Sequence, residues 1–160
     1  MIGLKRKNKI FRRNSFTIVE VVMTAAILAV SIVGIVQLFA HNAFLTDLSR
    51  NLSVVIIEAQ DKMEEIRNHS YSSIVADYSS GGSPGHTFAL TNPIGRGLIY
   101  IDSSNSNLLK IEIMVSWRNR QGRVIGEDAD LDGVIDSGED VNSNGKLDSS
   151  VTLTTYLARR

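Results

Sequence analysis

Between Glu127 and Asp148, 22 residues carry eight acids (Glu127, Asp128, Asp130, Asp132, Asp136, Glu139, Asp140, Asp148) and one base, Lys146. A stretch of net charge −7 is ordinarily a solvated, disordered loop. Its spacing points elsewhere. Asp128, Asp130 and Asp132 stand at alternate positions, Gly133 follows, and Val134, Asp136 and Glu139 complete a twelve-residue frame. Alternate positions of a tight loop turn their oxygens inward, and a hard divalent cation such as Ca²⁺ takes about six to eight of them. In this frame Asp128, Asp130 and Asp132 offer carboxylates, Gly133 the sharp turn and Val134 a backbone carbonyl. In a calcium loop of this spacing Asp136 would act directly or through water, and Glu139 would bind with both oxygens. A second frame starts at Asp140, with Asn142, Asn144, Gly145, Lys146 (through its backbone carbonyl alone) and Asp148. Its twelfth residue is Val151, so its bidentate ligand is missing unless Glu139 or Asp148 is shared.

The first frame resembles the EF-hand calcium loop, and the tandem is more similar to dockerin-type or thrombospondin type 3 calcium loops, because no helices of EF-hand length flank it. The role expected for Ca²⁺ is structural. The cation neutralises a self-repelling cluster, and its binding energy becomes folding energy in a chain with no cysteine and hence no disulfide.

The elements that must hold this insertion are strands. Ile111, Ile113, Val115 and Trp117 alternate with Lys110, Glu112, Met114 and Ser116, which predicts a strand over Leu109 to Trp117. Val151 to Leu157 predicts another, paired with the first across an excursion from Arg118 to Ser150. Weaker strands are expected over His86 to Leu90 and Leu98 to Ile101. Turns are expected at Ser79 to Gly85, at Asn92-Pro93 with Gly95-Arg96-Gly97, and over Asp102 to Asn107.

Upstream, Leu45, Leu48, Leu52, Val55, Ala59, Met63 and Ile66 recur at three- and four-residue steps, one stripe of an amphipathic helix that a sheet would cover. Glu58 and Lys62 form an i,i+4 pair in the favourable order. The helical pattern reaches back without proline to Phe16. The 25 residues from Phe16 to Ala40 contain one charge, Glu20, after a leader with six Lys/Arg and no acid. A helix of that length is sufficient to span a bilayer, and the basic leader places its N-terminus in the cytoplasm. A cleaved secretory signal has a shorter apolar core and a better cleavage site than Gln37-Leu38-Phe39-Ala40.

Ser15 followed by Phe16-Thr17-Ile18-Val19-Glu20 and a long apolar helix resembles the type IV prepilin signature. Ala59-Gln60-Asp61-Lys62-Met63-Glu64-Glu65-Ile66-Arg67 is similar to a stretch of PilV-type minor pilins and related pseudopilins. Ile113-x-Val115-x-Trp117 and Val151-x-Leu153-Thr154-Thr155 look like two strands of that domain, normally joined by a short hairpin. The resemblance implies cleavage between Ser15 and Phe16 by prepilin peptidase, N-methylation of Phe16, and pairing of Glu20 with a neighbouring subunit's terminal amine. It also implies partners among other pilin or pseudopilin subunits, through the N-terminal helix. Ser15 departs from the usual glycine before the cut, and the anchor lacks the kinking proline of major pilins.

The expected fold is therefore α+β, a type IV pilin fold with a long N-terminal helix on an antiparallel sheet of three or four strands. Residues 1–15 form the leader, 16–40 the membrane and assembly helix, and 41–160 the head, with its helical half at 41–68 and the insertion at 127–148. The expected function is a minor type IV pilin of the inner membrane, incorporated into a surface pilus. A type II secretion pseudopilin of the GspI kind in the periplasm is the nearest alternative, and a membrane-anchored Ca²⁺-binding adhesion or recognition module is the alternative of another class. His41, His69 and His86 lack ligand spacing, and no P-loop, nucleophile elbow or zincin motif occurs, so no enzymatic activity is expected. After the leader the chain carries 11 bases against 17 acids, which does not suggest a nucleic-acid surface.

Overall fold

A run of 50 residues free of proline, with one glycine, forms α1, Ile18–Arg67. The computed structural model describes residues 17–159, so Ser15, Phe16 and the leader lie outside the described residues. The chain divides into two compact units, one ending at Ala43 and one beginning at Phe44. In the first, α1 is apolar, none of residues 17–43 is buried, and one window is long and apolar enough to cross a membrane. The helix starts with a side-chain cap. The Thr17 hydroxyl accepts the Glu20 amide at 3.3 Å, and Glu20 stands in the first turn, where a carboxylate favours the helix dipole.

In the second unit the apolar stripe of α1 is buried at Val55, Ala59, Met63 and Ile66. The stripe expected to begin at Leu45 is covered only from Val55 onward: Leu45 and Leu52 are exposed and Leu48 is half-buried. Lys62 pairs with Glu65 at 2.5 Å instead of Glu58, because Glu65 is held in place by the Tyr78 hydroxyl, which donates to it at 2.9 Å. Tyr78 follows a short helix, α2 (Tyr71–Asp77), that sequence periodicity did not reveal. Burial, with Glu65 beside it, pushes the Tyr78 phenol well above the usual tyrosine range.

The sheet has five antiparallel strands, where three or four were expected: β1 Thr87–Thr91, β2 Ile94–Asn105, β3 Leu108–Arg118, β4 Val124–Ile125 and β5 Val151–Ala158. Strand β3 is central. Val115 pairs with Gly97 on one edge and Val151 on the other, and Trp117 pairs with Gly95 and Ile125. Strands β4 and β5 therefore share one edge of β3, and the two strong strands of the sequence do pair. One face of β3 (Ile111, Ile113, Val115, Trp117) joins the stripe of α1 in a single apolar core.

Two expected turns are tighter than expected: the chain turns at Asn92-Pro93 and at Ser106-Asn107, and the rest of both stretches is strand. Gly95, Arg96 and Gly97 lie inside β2, which also runs through Asp102 to Asn105 with an irregular register. The glycines are there to make room. A Cβ at Gly95 would stand 2.7 Å from the Ser116 carbonyl oxygen and 3.0 Å from Trp117 Cβ, and one at Gly97 would enter the Phe88 ring. Gly95→Ala should therefore cost about 1–3 kcal/mol, measured as a lower urea midpoint. An unchanged midpoint would show that β2 and β3 can part there freely.

Candidate metal centre

The insertion is closed at its neck. The Glu127 amide donates to the Asp148 carbonyl at 2.8 Å, and the Asp148 amide donates to Glu127 Oε2 at 2.9 Å. Between these residues the chain forms two loops with the same internal pattern. In the first, Asp128 accepts the amides of Asp132 (3.2 Å) and Gly133 (3.1 Å), Asp130 accepts Asp132 (3.2 Å), and Asp132 accepts Val134 (2.7 Å). In the second, Asp140 accepts Asn144 (3.0 Å) and Gly145 (2.8 Å), Asn142 accepts Asn144 (3.0 Å), and Asn144 accepts Lys146 (2.8 Å). Positive φ also repeats, at Leu131 (66°) and Gly133 (80°), then at Ser143 (57°) and Gly145 (76°). Leu131 and Ser143, the fourth residues of their frames, adopt a backbone region that side chains disfavour.

The two loops differ in what they gather. Carboxylate oxygens of Asp128, Asp130 and Glu139 lie within 4.8 Å of one another, and so do those of Asp130, Asp132 and Asp136. Glu139 is fixed by the amides of Ala129 (2.8 Å) and Asp136 (3.2 Å), which assigns it to the first loop. In the second loop, Asn142 and Asn144 turn their amide N–H groups onto Asp148 at 2.6 and 2.8 Å. Val151 begins β5 and is buried there, and the Lys146 ammonium pairs with Glu112.

Among the described residues, none of the first loop's five carboxylates makes an ion pair with Lys or Arg, although Asp128 is fully buried. Burial, against the pull of the loop amides and with Glu139 adding to it, raises the Asp128 pKa. The Asp132 charge, with smaller contributions from desolvation and from Asp130 and Glu139, raises that of the exposed Asp136. A buried anion is tolerated only when it is paired, ligated or protonated. The donor set consists of hard oxygens, as Ca²⁺ requires.

The outer face of the sheet explains why the insertion is ordered. Leu98 on β2 and Met114 on β3 are cross-strand partners, and both are buried although they lie outside the core on the α1 side. The insertion supplies two further buried apolar residues, Leu131 and Leu147. Its contacts run across that face. Arg96 Nε donates to the Leu131 carbonyl at 2.9 Å, the Leu147 amide donates to the Tyr100 hydroxyl at 2.9 Å, and a Cβ at Gly126 would strike Ser116 Oγ. Lys146 also lies over the Tyr100 ring at 5.5 Å. Leu131 and Leu147 were not singled out from sequence, and the only signal available was an apolar residue within an acidic run. Val134, Ile135 and Val141 give the same signal and are exposed.

Glu20, the remaining candidate residue within the described chain, is exposed, and its carboxylate makes no hydrogen bond or ion pair among the described residues. Its Thr17 cap follows the T-x-x-E spacing, a signal that was present in the sequence. Comparisons with protein families, curated proteins and solved structures find no match to this chain.

Proposed function

We propose that this chain is a minor type IV pilin of the PilV type, anchored in the inner membrane and packed by its N-terminal helix among other pilin subunits. One observation carries the reading. Between Thr17 and Ala40 the sole charge is Glu20, which has no partner among the described residues, on a helix that continues into the spine of a folded head. A carboxylate in a low-dielectric layer needs a cation, and the methylated amine of a neighbour's Phe16 would be one. The head in this reading is held by Ca²⁺ in the first loop through Asp128, Asp130, Asp132, Asp136 and Glu139 with the Val134 carbonyl. The second loop takes a cation only if Asn142 and Asn144 turn their oxygens inward.

N-terminal sequencing of the membrane-extracted protein tests the class. An N-methyl-Phe16 terminus is expected. An intact Met1 terminus in cells with an active prepilin peptidase would overturn the pilin reading in favour of a membrane-anchored Ca²⁺-binding recognition module. Glu20→Ala should insert normally and fail to enter fibres, and normal incorporation would remove the pairing role. Fibres that require a secretion substrate would reassign the chain to the type II pseudopilins.

A further inference from the structure

The sheet protects one of its edges and leaves the other open. Strand β1 is five residues long, lies between Pro84 and Pro93, and has the insertion against it, since a Cβ at Gly133 would stand 3.0 Å from Thr87 Cγ2. Strand β5 has eight residues, Val-Thr-Leu-Thr-Thr-Tyr-Leu-Ala, with neither charge nor proline, and among the described residues it pairs with β3 alone. Natural sheets blunt such edges with charge, proline or bulges unless another chain is to pair there. On its core face Leu153 and Leu157 pack against the core but remain half-buried, so one more strand would complete their cover.

The end of β5 opens into a cavity of about 1020 Å³ lined by Arg67, His69, Arg159, Tyr71 and Tyr156 and, among the described residues, by no Asp or Glu. Arg67 reaches Glu64 at 2.7 Å and His69 lies 3.6 Å from Asp77, whereas Arg159 makes no ion pair among the described residues. In a head rich in acids, this pocket has the opposite character.

We infer that the open edge of β5 and the basic cavity at its end form one docking site for an extended strand of a partner protein. That strand is uncharged and apolar at alternate positions where it runs along β5, and acidic where it enters the cavity. Backbone pairing supplies affinity along the edge, the alternate side chains cover Leu153 and Leu157, and the carboxylate meets Arg159 and Arg67. The inference is independent of processing at Phe16 and of Ca²⁺.

The test uses the full chain in detergent micelles and a fluorescein-labelled peptide of alternating valine and threonine ending in two glutamates. Methylation of the peptide's amides on one edge keeps it monomeric. Saturable anisotropy is expected, weakened about tenfold or more by Arg159→Glu, which alters an exposed side chain. Leu157→Lys, a charge of the kind that protects natural edges, should abolish it. No saturation by about 1 mM peptide, equal binding of a peptide ending in two lysines, or indifference to Arg159→Glu would each overturn the site. A dimer of the chain that Leu157→Lys converts to monomer would give the edge to a second copy and overturn the partner strand.

Discussion

Asp128→Ala should abolish the heat of Ca²⁺ binding to the full chain and erase the thermal stabilisation that Ca²⁺ confers. For the unaltered protein at a hundredfold excess of Ca²⁺ over Kd, mass action gives about 2.7 kcal/mol, or roughly 10 °C in Tm for a head of this size. Asp128 is the decisive position because it is the fully buried carboxylate of the cluster, with its oxygens committed to the Asp132 and Gly133 amides. Removing it leaves the Gly133 amide without its acceptor and the Asp132 amide with Asp130 alone, as well as deleting a proposed ligand. Asp148→Ala, in the second loop, should leave the first-loop heat in place. Identical melting in Ca²⁺ and in chelator at neutral pH would return the stretch to an acidic linker.

The pH dependence has a definite sign. In chelator, Asp128 and Asp136 have raised pKa values, so the folded state holds their protons more firmly than the unfolded chain does. Their contribution to stability is therefore lost as pH rises through the carboxylate range. Hydrogen bonds from Lys62 to Glu65, and from Lys146 and Lys110 to Glu112, lower those two pKa values, giving stability that is lost as pH falls below the usual glutamate range. Ca²⁺ binds the deprotonated loop, so the gap between the melting temperatures in Ca²⁺ and in chelator should close in acid and open toward neutrality. A gap independent of pH would mean that the loop carboxylates are not the ligands.

The helix and the two strong strands were legible because each carries a complete periodic signal: Val55, Ala59, Met63 and Ile66 at helical spacing, and Ile111 to Trp117 in strict alternation. Boundaries failed where a rule of composition met a tertiary demand. Gly95 and Gly97 read as a turn but serve as gaps beside Trp117 and Phe88, a requirement set by residues far away in the chain. The turns of both loop frames were legible because hydrogen bonding within such a loop is local. What spacing did not reveal was the cover it provides. Met114 and Ser116 sit at positions that an exposed sheet face would leave wet, and both are buried by a segment more than ten residues downstream. Alternation reports which residues share a face and says nothing about what lies on it.

That cover makes the second large prediction. Leu147→Ala should destabilise the head by about 2–4 kcal/mol, because Leu147 is fully buried and its amide is tied to the Tyr100 hydroxyl. Val141→Ala, at a position 79% exposed in the same insertion, should stay within about 0.5 kcal/mol. Urea unfolding in chelator measures both and keeps cation binding out of the comparison. A disordered insertion predicts equal and small effects, since neither side chain would then be removed from water. An ordered layer predicts the large difference, because Leu147 is fully buried and Val141 is not. Equal midpoints would contradict the burial of Leu98 and Met114, two apolar side chains on the sheet face away from α1.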